Sequence, residues 1–348
     1  MAFPIYIYLA AGLSACLFSM GSLPWWRHWC LRVGLVDEPG HRKIHERPIP
    51  LAGGLAVTTG LLMPILLATL LLAFAGPGNA RPEPVADTGR PGKQVLNPLD
   101  PSNVYLLRYG LNRRAVELGG ILVGAVGMLV VGLVDDKKEL RPGTKFAGQF
   151  LIALLVAASG VRITLFVPSP VFHYAITILW ILSVINAFNF MDNMNGLCAG
   201  LGALGAWYFA LVAARDGQYL VALLAFLTCG ALLGFLPHNF PHARAFLGDA
   251  GSHLVGYLLA VLAILPHFFT QRQPRSKWAV LTPLLVLAIP LLDMARVVLL
   301  RWRLGRPFYV GDNNHLSHRL VRLGLSPTRA VLLIWLLAAA VGSLACLR

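Results

Sequence analysis

A chain of 348 residues that is 57% hydrophobic and only 13% charged is not one soluble domain, because soluble domains carry about a quarter charged residues. Its mean hydropathy of +0.68 makes lipid the solvent for much of the surface. The net charge of +14 then reads as basic loops against anionic headgroups, so membrane lipid and no nucleic acid is expected as partner. The cysteines Cys16, Cys30, Cys198, Cys229 and Cys346 are scattered without a CxxC pair, which gives neither a zinc site nor a disulfide framework.

Crossing the hydrocarbon core takes about 20 apolar residues. Ten segments meet this: 4–24, 51–75, 116–134, 145–160, 171–190, 197–214, 219–236, 252–269, 278–298 and 328–346. The first has no basic region before it and no cleavage site after it, so it reads as a retained helix. The sequence thus predicts an all-α polytopic membrane protein, a single integral membrane domain over 1–348. The Pro-, Gly- and Asn-rich stretch 76–115 reads as a flexible external loop, and Val161–Val167 alternates like a small external hairpin. Connections alternate between two faces. One face, helix ends included, holds 17 of the 29 Lys and Arg. The other holds 12, of which 6 lie in the 76–115 stretch. Long loops translocate largely regardless of charge, so the first face is predicted to be cytoplasmic.

The motifs follow in chain order. Arg42-Lys43-Ile-His45-Glu-Arg47-Pro48-Ile-Pro50 runs into Gly53-Gly54 before the second span; alone it is ordinary juxtamembrane charge. Asp135, Asp136 and Glu139 end the third span. On a helix Asp135 and Glu139 share a face while Asp136 points away, and paired carboxylates in an apolar setting invite a cation. Oxygen ligands without cysteine favour Mg²⁺ or Mn²⁺. A helix-end cluster neutralised by Lys137 and Lys138 is the structural alternative. Asn186, Asn189 and Asp192 form a polar stripe at the end of the fifth span. Such a stripe faces a functional cavity or joins helices by hydrogen bonds.

Asn239 to Ser252 carries Phe246 and Gly248-Asp249-Ala-Gly251-Ser252. Its carboxylate stands where a helix begins, and the free N–H groups of that start are expected to hold phosphate. A simple helix cap by Asp249 is the alternative. Asp312-Asn-Asn-His315-Leu-Ser317-His318-Arg319 follows the ninth span. All five stretches fall on the same face under a topology derived without them. Carboxylates for a metal, cations for phosphate and a site at the bilayer surface describe phosphoryl transfer, with a lipid phosphate as the acceptor.

At these residues the sequence resembles the polyprenyl-phosphate N-acetylhexosamine-1-phosphate transferases, glycosyltransferase family 4. The resemblance runs from Val36 to Leu325 outside 76–115. It rests on Arg-Lys-x-His-x-x-Pro-Ile-Pro with Gly-Gly, Gly-Leu-Val-Asp-Asp, Asn-Ala-x-Asn-x-x-Asp, Phe-Leu-Gly-Asp-x-Gly-Ser and His-x-x-His-Arg-Leu, in the family's order. It implies a Mg²⁺-dependent (or Mn²⁺-dependent) enzyme of about ten helices with a cytoplasmic active site. That enzyme transfers a sugar phosphate from a UDP-sugar to undecaprenyl phosphate and releases UMP at a bacterial inner membrane; a homodimer is compatible with this reading. By the same resemblance, Asp249 is the principal metal ligand, with Asp136 beside it. Asp135, Asp136 and Asp192 are catalytic, Asp135 orienting or deprotonating the lipid phosphate. Lys43, His45, Asn189, Asn195, Asn239, Phe246, His315, His318 and Arg319 bind substrate, Phe246 by stacking on the uracil.

Two departures bear on the sugar end. Asn195 stands where the family usually has an acid, and Ser317 replaces a histidine of the basic loop. The Pro-Ile-Pro form resembles the GlcNAc branch more than the phospho-N-acetylmuramoyl-pentapeptide branch of peptidoglycan synthesis. A transporter or flippase predicts charges near mid-bilayer, where Asp293 is the main candidate. A scaffold that has lost activity is the third alternative.

Overall fold

The computed structural model describes residues 5–39, 47–74, 101–165, 167–266, 277–307 and 313–347. Its α-helices are α1 (Ile5–Val33), α2 (Gly53–Phe74), α3 (Pro101–Arg113), α4 (Ala115–Lys138), α5 (Pro142–Ala158), α6 (Pro170–Met191), α7 (Leu197–Arg215), α8 (Tyr219–Phe235), α9 (Gly248–Ile264), α10 (Thr282–Val286), α11 (Ala288–Arg303), α12 (Leu316–Arg322) and α13 (Pro327–Ser343). Among the described residues the β-structure is a two-residue antiparallel ladder, β1 (Val36–Asp37) with β2 (Ile49–Pro50). The chain is therefore an all-α polytopic membrane protein. Among the described residues seven helices are long and apolar enough to cross a membrane, or eight if the bent pair α10–α11 counts as one span.

Several starts are written locally. Ser169 accepts from the N–H of Phe172 ahead of Pro170, and Ser326 accepts from Arg329 ahead of Pro327. Each is an N-cap with proline at the first helical position.

Helix α9 is the axis of the bundle, packed by α4, α6, α2 and α7. Every residue from Ala250 to Ala263 is buried. A 17-residue helix is short for a bilayer, but protein and not lipid surrounds this one. Small residues let the helices approach. A Cβ at Gly54 would lie 2.7 Å from the backbone nitrogen of Gly251, and one at Gly256 2.6 Å from Cα of Ile185. Close backbone approach through small residues is how membrane helices gain packing when hydrophobicity does not distinguish helix from lipid. On the outside, Ile5, Leu9, Leu13 and Leu17 of α1 form an exposed stripe at helical spacing, as a lipid-facing surface requires.

The structure departs from the sequence reading in several places. Helix α1 continues past residue 24 through Trp25, Trp26 and Trp29 to Val33. These aromatics suit the interfacial region, and Trp26 Nε1 donates to Thr59 Oγ1 at 2.9 Å, tying α1 to α2. Part of the expected 76–115 loop is helix α3, held against the bundle by Tyr219, whose hydroxyl donates to the carbonyl of Leu106 at 2.9 Å. Residues 75–100 lie outside the described residues. The expected hairpin at Val161–Val167 has no strand among its described residues; Ile163 N–H instead donates to Thr177 Oγ1. The expected span 278–298 is broken, its halves meeting at 69°.

Candidate active site

The ends of α4, α5, α6 and α9 converge on one face. Lys145, in the first turn of α5, joins them: its Nζ lies 2.7 Å from Asp135 Oδ2 and 2.9 Å from Asp249 Oδ2. Asp135 is only 7% exposed, and its other oxygen accepts the N–H of Leu140 at 2.9 Å. From α6, Asn189 Nδ2 donates to Asp249 Oδ1 at 2.5 Å and to Ser252 Oγ at 3.0 Å. Asp192 follows the last residue of α6. Burial, then the carboxylates of Asp249 and Asp136, push its carboxyl well above the usual range.

Asp135 and Asp136 face different partners. Asp136 Oδ1 accepts the N–H of Asp249 at 2.7 Å, and Oδ2 that of Ala250 at 3.0 Å. Asp136 therefore caps α9 from a neighbouring helix. This alters two expectations. The N–H groups expected to hold phosphate are already bonded to a carboxylate, and Asp249 does not cap its own helix. The reason is the tight seat of α4 on α9. Gly248 takes φ +71°, a backbone that favours glycine, and a Cβ there would lie 2.7 Å from Asp136 Oδ2. The expected pairing of Asp135 with Glu139 is absent: α4 ends at Lys138, and Glu139 turns out at φ 47°, exposed.

The basic loop is strapped to α6 and α11. His315 Nδ1 pairs with Asp293 Oδ2 at 2.7 Å, and the N–H of Leu316 donates to Asp293 Oδ1 at 2.7 Å. Arg296 donates to the carbonyl of Asn314 at 2.8 Å. The ring of Phe190 meets His315 edge-on at 5.4 Å and the guanidinium of Arg301 at 5.0 Å. The last turn of α6 thus touches both groups, Asn189 bonding Asp249 and Phe190 packing on His315. His318 lies 6.5 Å from His315, ring to ring, and Arg319 is exposed on α12.

Ser317 does not face this space as an exposed group. It is buried, and its hydroxyl donates to Asn193 Oδ1 at 2.6 Å. Asn239 accepts the N–H of Gly196 at 2.6 Å and donates to the carbonyl of Ala245 at 3.0 Å, while Asn195 donates to the carbonyl of Pro241 at 3.1 Å. These two asparagines lock the loop before α9 onto the α6–α7 turn. Phe246, half-buried, gives its N–H to the carbonyl of Pro50 and takes the N–H of Gly53. The Gly-Gly motif is thereby fastened beside Asp249. Lys43 and His45 lie outside the described residues.

Sequence reasoning missed Lys145, Gln149 and His253. Lys145 was legible only as one more cation at a helix end. Ligand atoms of Asp135, Asp249 and His253 lie within 4.8 Å of one another. Oxygen ligands about 2.1 Å from a Mg²⁺ ion stand roughly 3–4.3 Å apart, so modest closure would seat a divalent cation. The ammonium of Lys145 already stands between two of these carboxylates, which marks the place as one that takes positive charge.

The family model for glycosyl transferase family 4 matches residues 118–267. A decaprenyl-phosphate N-acetylglucosaminephosphotransferase of Mycolicibacterium smegmatis is 33% identical, the alignment covering 96% of this chain and 80% of that protein. A probable undecaprenyl-phosphate N-acetylglucosaminyl 1-phosphate transferase of Bacillus subtilis is 28% identical over 88% of this chain and 75% of its own length. The undecaprenyl-phosphate α-N-acetylglucosaminyl 1-phosphate transferase of Escherichia coli K12 is 28% identical over 95% and 81%. With the carboxylate cluster and basic loop in place, these likenesses assign the chain to glycosyl transferase family 4, in the branch of the polyprenyl-phosphate N-acetylglucosamine-1-phosphate transferases.

Proposed function

We propose that this protein transfers N-acetylglucosamine-1-phosphate from UDP-N-acetylglucosamine to undecaprenyl or a related polyprenyl phosphate. Its site lies on the cytoplasmic face of a bacterial inner membrane, reached by ten membrane crossings once α5, α9 and the broken α10–α11 are counted. An oxygen of the lipid phosphate attacks the β-phosphorus of the nucleotide sugar. The new P–O bond forms as the bond to the bridging oxygen breaks, and UMP leaves with that oxygen. The observation that carries this reading is the Asp135–Lys145–Asp249 arrangement at the mouth of α9. It is a seat for positive charge, beside a strapped basic loop, where two phosphate groups would have to meet.

Asp249 and Asp135 would hold the Mg²⁺ ion. A bound divalent cation neutralises charge on the diphosphate and stabilises the leaving oxygen. Lys145 supplies a fixed cation for phosphate oxygens. Asn189 holds the Asp249 carboxylate, and Asp136 holds the backbone on which Asp249 stands. His315, His318 and Arg319 present the cationic rim for the donor, with Phe246 at the uridine side.

The transporter alternative needed Asp293 as a mid-bilayer charge. That carboxylate is instead committed to His315 and the N–H of Leu316, which favours an enzyme whose loop must be held still. The test is Mg²⁺-dependent UMP release in membranes given polyprenyl phosphate and a panel of UDP-sugars, with the lipid product identified by mass. UDP-N-acetylglucosamine should be the productive donor, and Asp249→Ala should abolish release. Unchanged release in that variant would sink the assignment.

A further inference from the structure

His253 lies one helical turn below Asp249 on α9 and is 0% exposed. A ring nitrogen of this histidine falls within 4.8 Å of carboxylate oxygens of Asp135 and Asp249, which invites its assignment as a metal ligand. The hydrogen-bond chain behind it argues otherwise.

Asn186 Nδ2 donates to the main-chain carbonyl of Leu182 at 2.8 Å and to Gln149 Oε1 at 2.9 Å. A carbonyl only accepts, so the Asn186 amide has one orientation. Gln149 must then present its oxygen to Asn186 and its NH₂ to His253, whose Nε2 is 3.4 Å away. A ring nitrogen facing an N–H donor must be the acceptor. His253 is therefore the neutral tautomer with its proton on Nδ1. That Nδ1 is buried and has no hydrogen-bond partner among the described residues. Neither nitrogen has a lone pair left for a cation: Nε2 is engaged by Gln149, and Nδ1 carries hydrogen.

We propose that His253 is a neutral N–H donor to the Asp135–Asp249 carboxylate pair, held outside the metal's ligand shell by the Leu182–Asn186–Gln149 chain. It acts as a positioning residue. The donor would reach the carboxylates through a bridging water. A neutral donor steadies the carboxylates without adding the positive charge that would repel the cation. A ligating imidazole would have shifted the site towards softer metals. The inference rests on the metal-dependent reading proposed above but concerns only which groups touch the ion.

The experiment uses full-length protein in detergent with Mn²⁺ in place of Mg²⁺. Pulsed electron paramagnetic resonance of the wild type should show no strongly coupled nitrogen on the bound Mn²⁺. Nitrogen-15 histidine spectra, with the His253 signal assigned by its loss in His253→Asn, should show the ring proton on Nδ1. Asparagine keeps an N–H near the Nδ1 position, so His253→Asn should hold UMP release within about threefold of wild type. His253→Ala should lose about tenfold, as outer-shell changes at metal sites do, with the Mn²⁺ dissociation constant within about twofold. A coupled nitrogen that disappears in His253→Ala, a proton on Nε2, or equal loss in the Asn and Ala variants would overturn the proposal. Failure of Mn²⁺ to bind at all would instead overturn the metal-dependent reading, and the tautomer measurement would still decide the role of His253.

Discussion

Asp136→Asn separates a metal ligand from a helix cap. In the structure each oxygen of Asp136 takes one N–H of α9, at 2.7 and 3.0 Å. An asparagine keeps one acceptor and turns an NH₂ against the other N–H. Hydrogen bonds to charged groups contribute about 1.5–3 kcal/mol, and lost caps cost about 0.5–2 kcal/mol. The substitution should therefore destabilise the protein by about 2–3 kcal/mol. For a chain of this size that is a fall of about 5 °C in unfolding temperature. Asp249 sits at the disturbed helix start, so UMP release should fall as well. The Mg²⁺ concentration for half-maximal release should nevertheless move by less than about threefold, because in this geometry Asp136 bonds backbone and not metal. Thermal unfolding in detergent and Mg²⁺ titration of UMP release make the two measurements on one preparation. An unchanged unfolding temperature with a tenfold rise in the Mg²⁺ requirement would refute the reasoning and return Asp136 to the metal.

Lys145→Met leaves Asp135 and Asp249 without the ammonium that bridges them. Mg²⁺ should then bind more tightly, while UMP release falls about a hundredfold for want of a charge aimed at phosphate; a Mg²⁺ titration showing weaker binding would contradict this. Gly132→Ala places a Cβ 2.6 Å from the backbone carbon of Asp249, whereas Gly119→Ala meets nothing within 4 Å. The first should lower the yield of folded protein or cost about 1–3 kcal/mol by overpacking, and the second should be close to neutral, as read by thermal unfolding of both. Asp293→Asn removes the charge that seats His315 and weakens its hold on the N–H of Leu316. The KM for UDP-N-acetylglucosamine should rise about tenfold, on the scale of one charge-assisted hydrogen bond, with kcat less affected; an unchanged KM would dissociate the basic loop from donor binding.

The sequence revealed what depends on composition over about 20 residues and hid what depends on how two helices meet. Each expected apolar run overlaps a helix of the bundle, with shifted ends. The break at Leu287 was invisible because hydropathy does not register a bend, and proline was no guide: Pro64 lies inside a helix that continues through it, as does Pro24. The aspartates were legible as chemistry, yet their division of labour was not. Helical periodicity sets Asp135 and Asp136 about 100° apart, which shows that they face different neighbours without naming either one. Only the seat of α9 on α4 and α5 supplies the names: Lys145 for Asp135, the α9 backbone for Asp136. Two adjacent carboxylates with different partners can still serve one site, the first by holding the Lys145 ammonium and the second by fixing the helix start from which Asp249 projects. The same logic reads Ser317 and Asn195. As sequence departures they suggested an altered sugar pocket. In the fold their side chains bond Asn193 and the Pro241 carbonyl, so they shape the walls of the site through the loops they join.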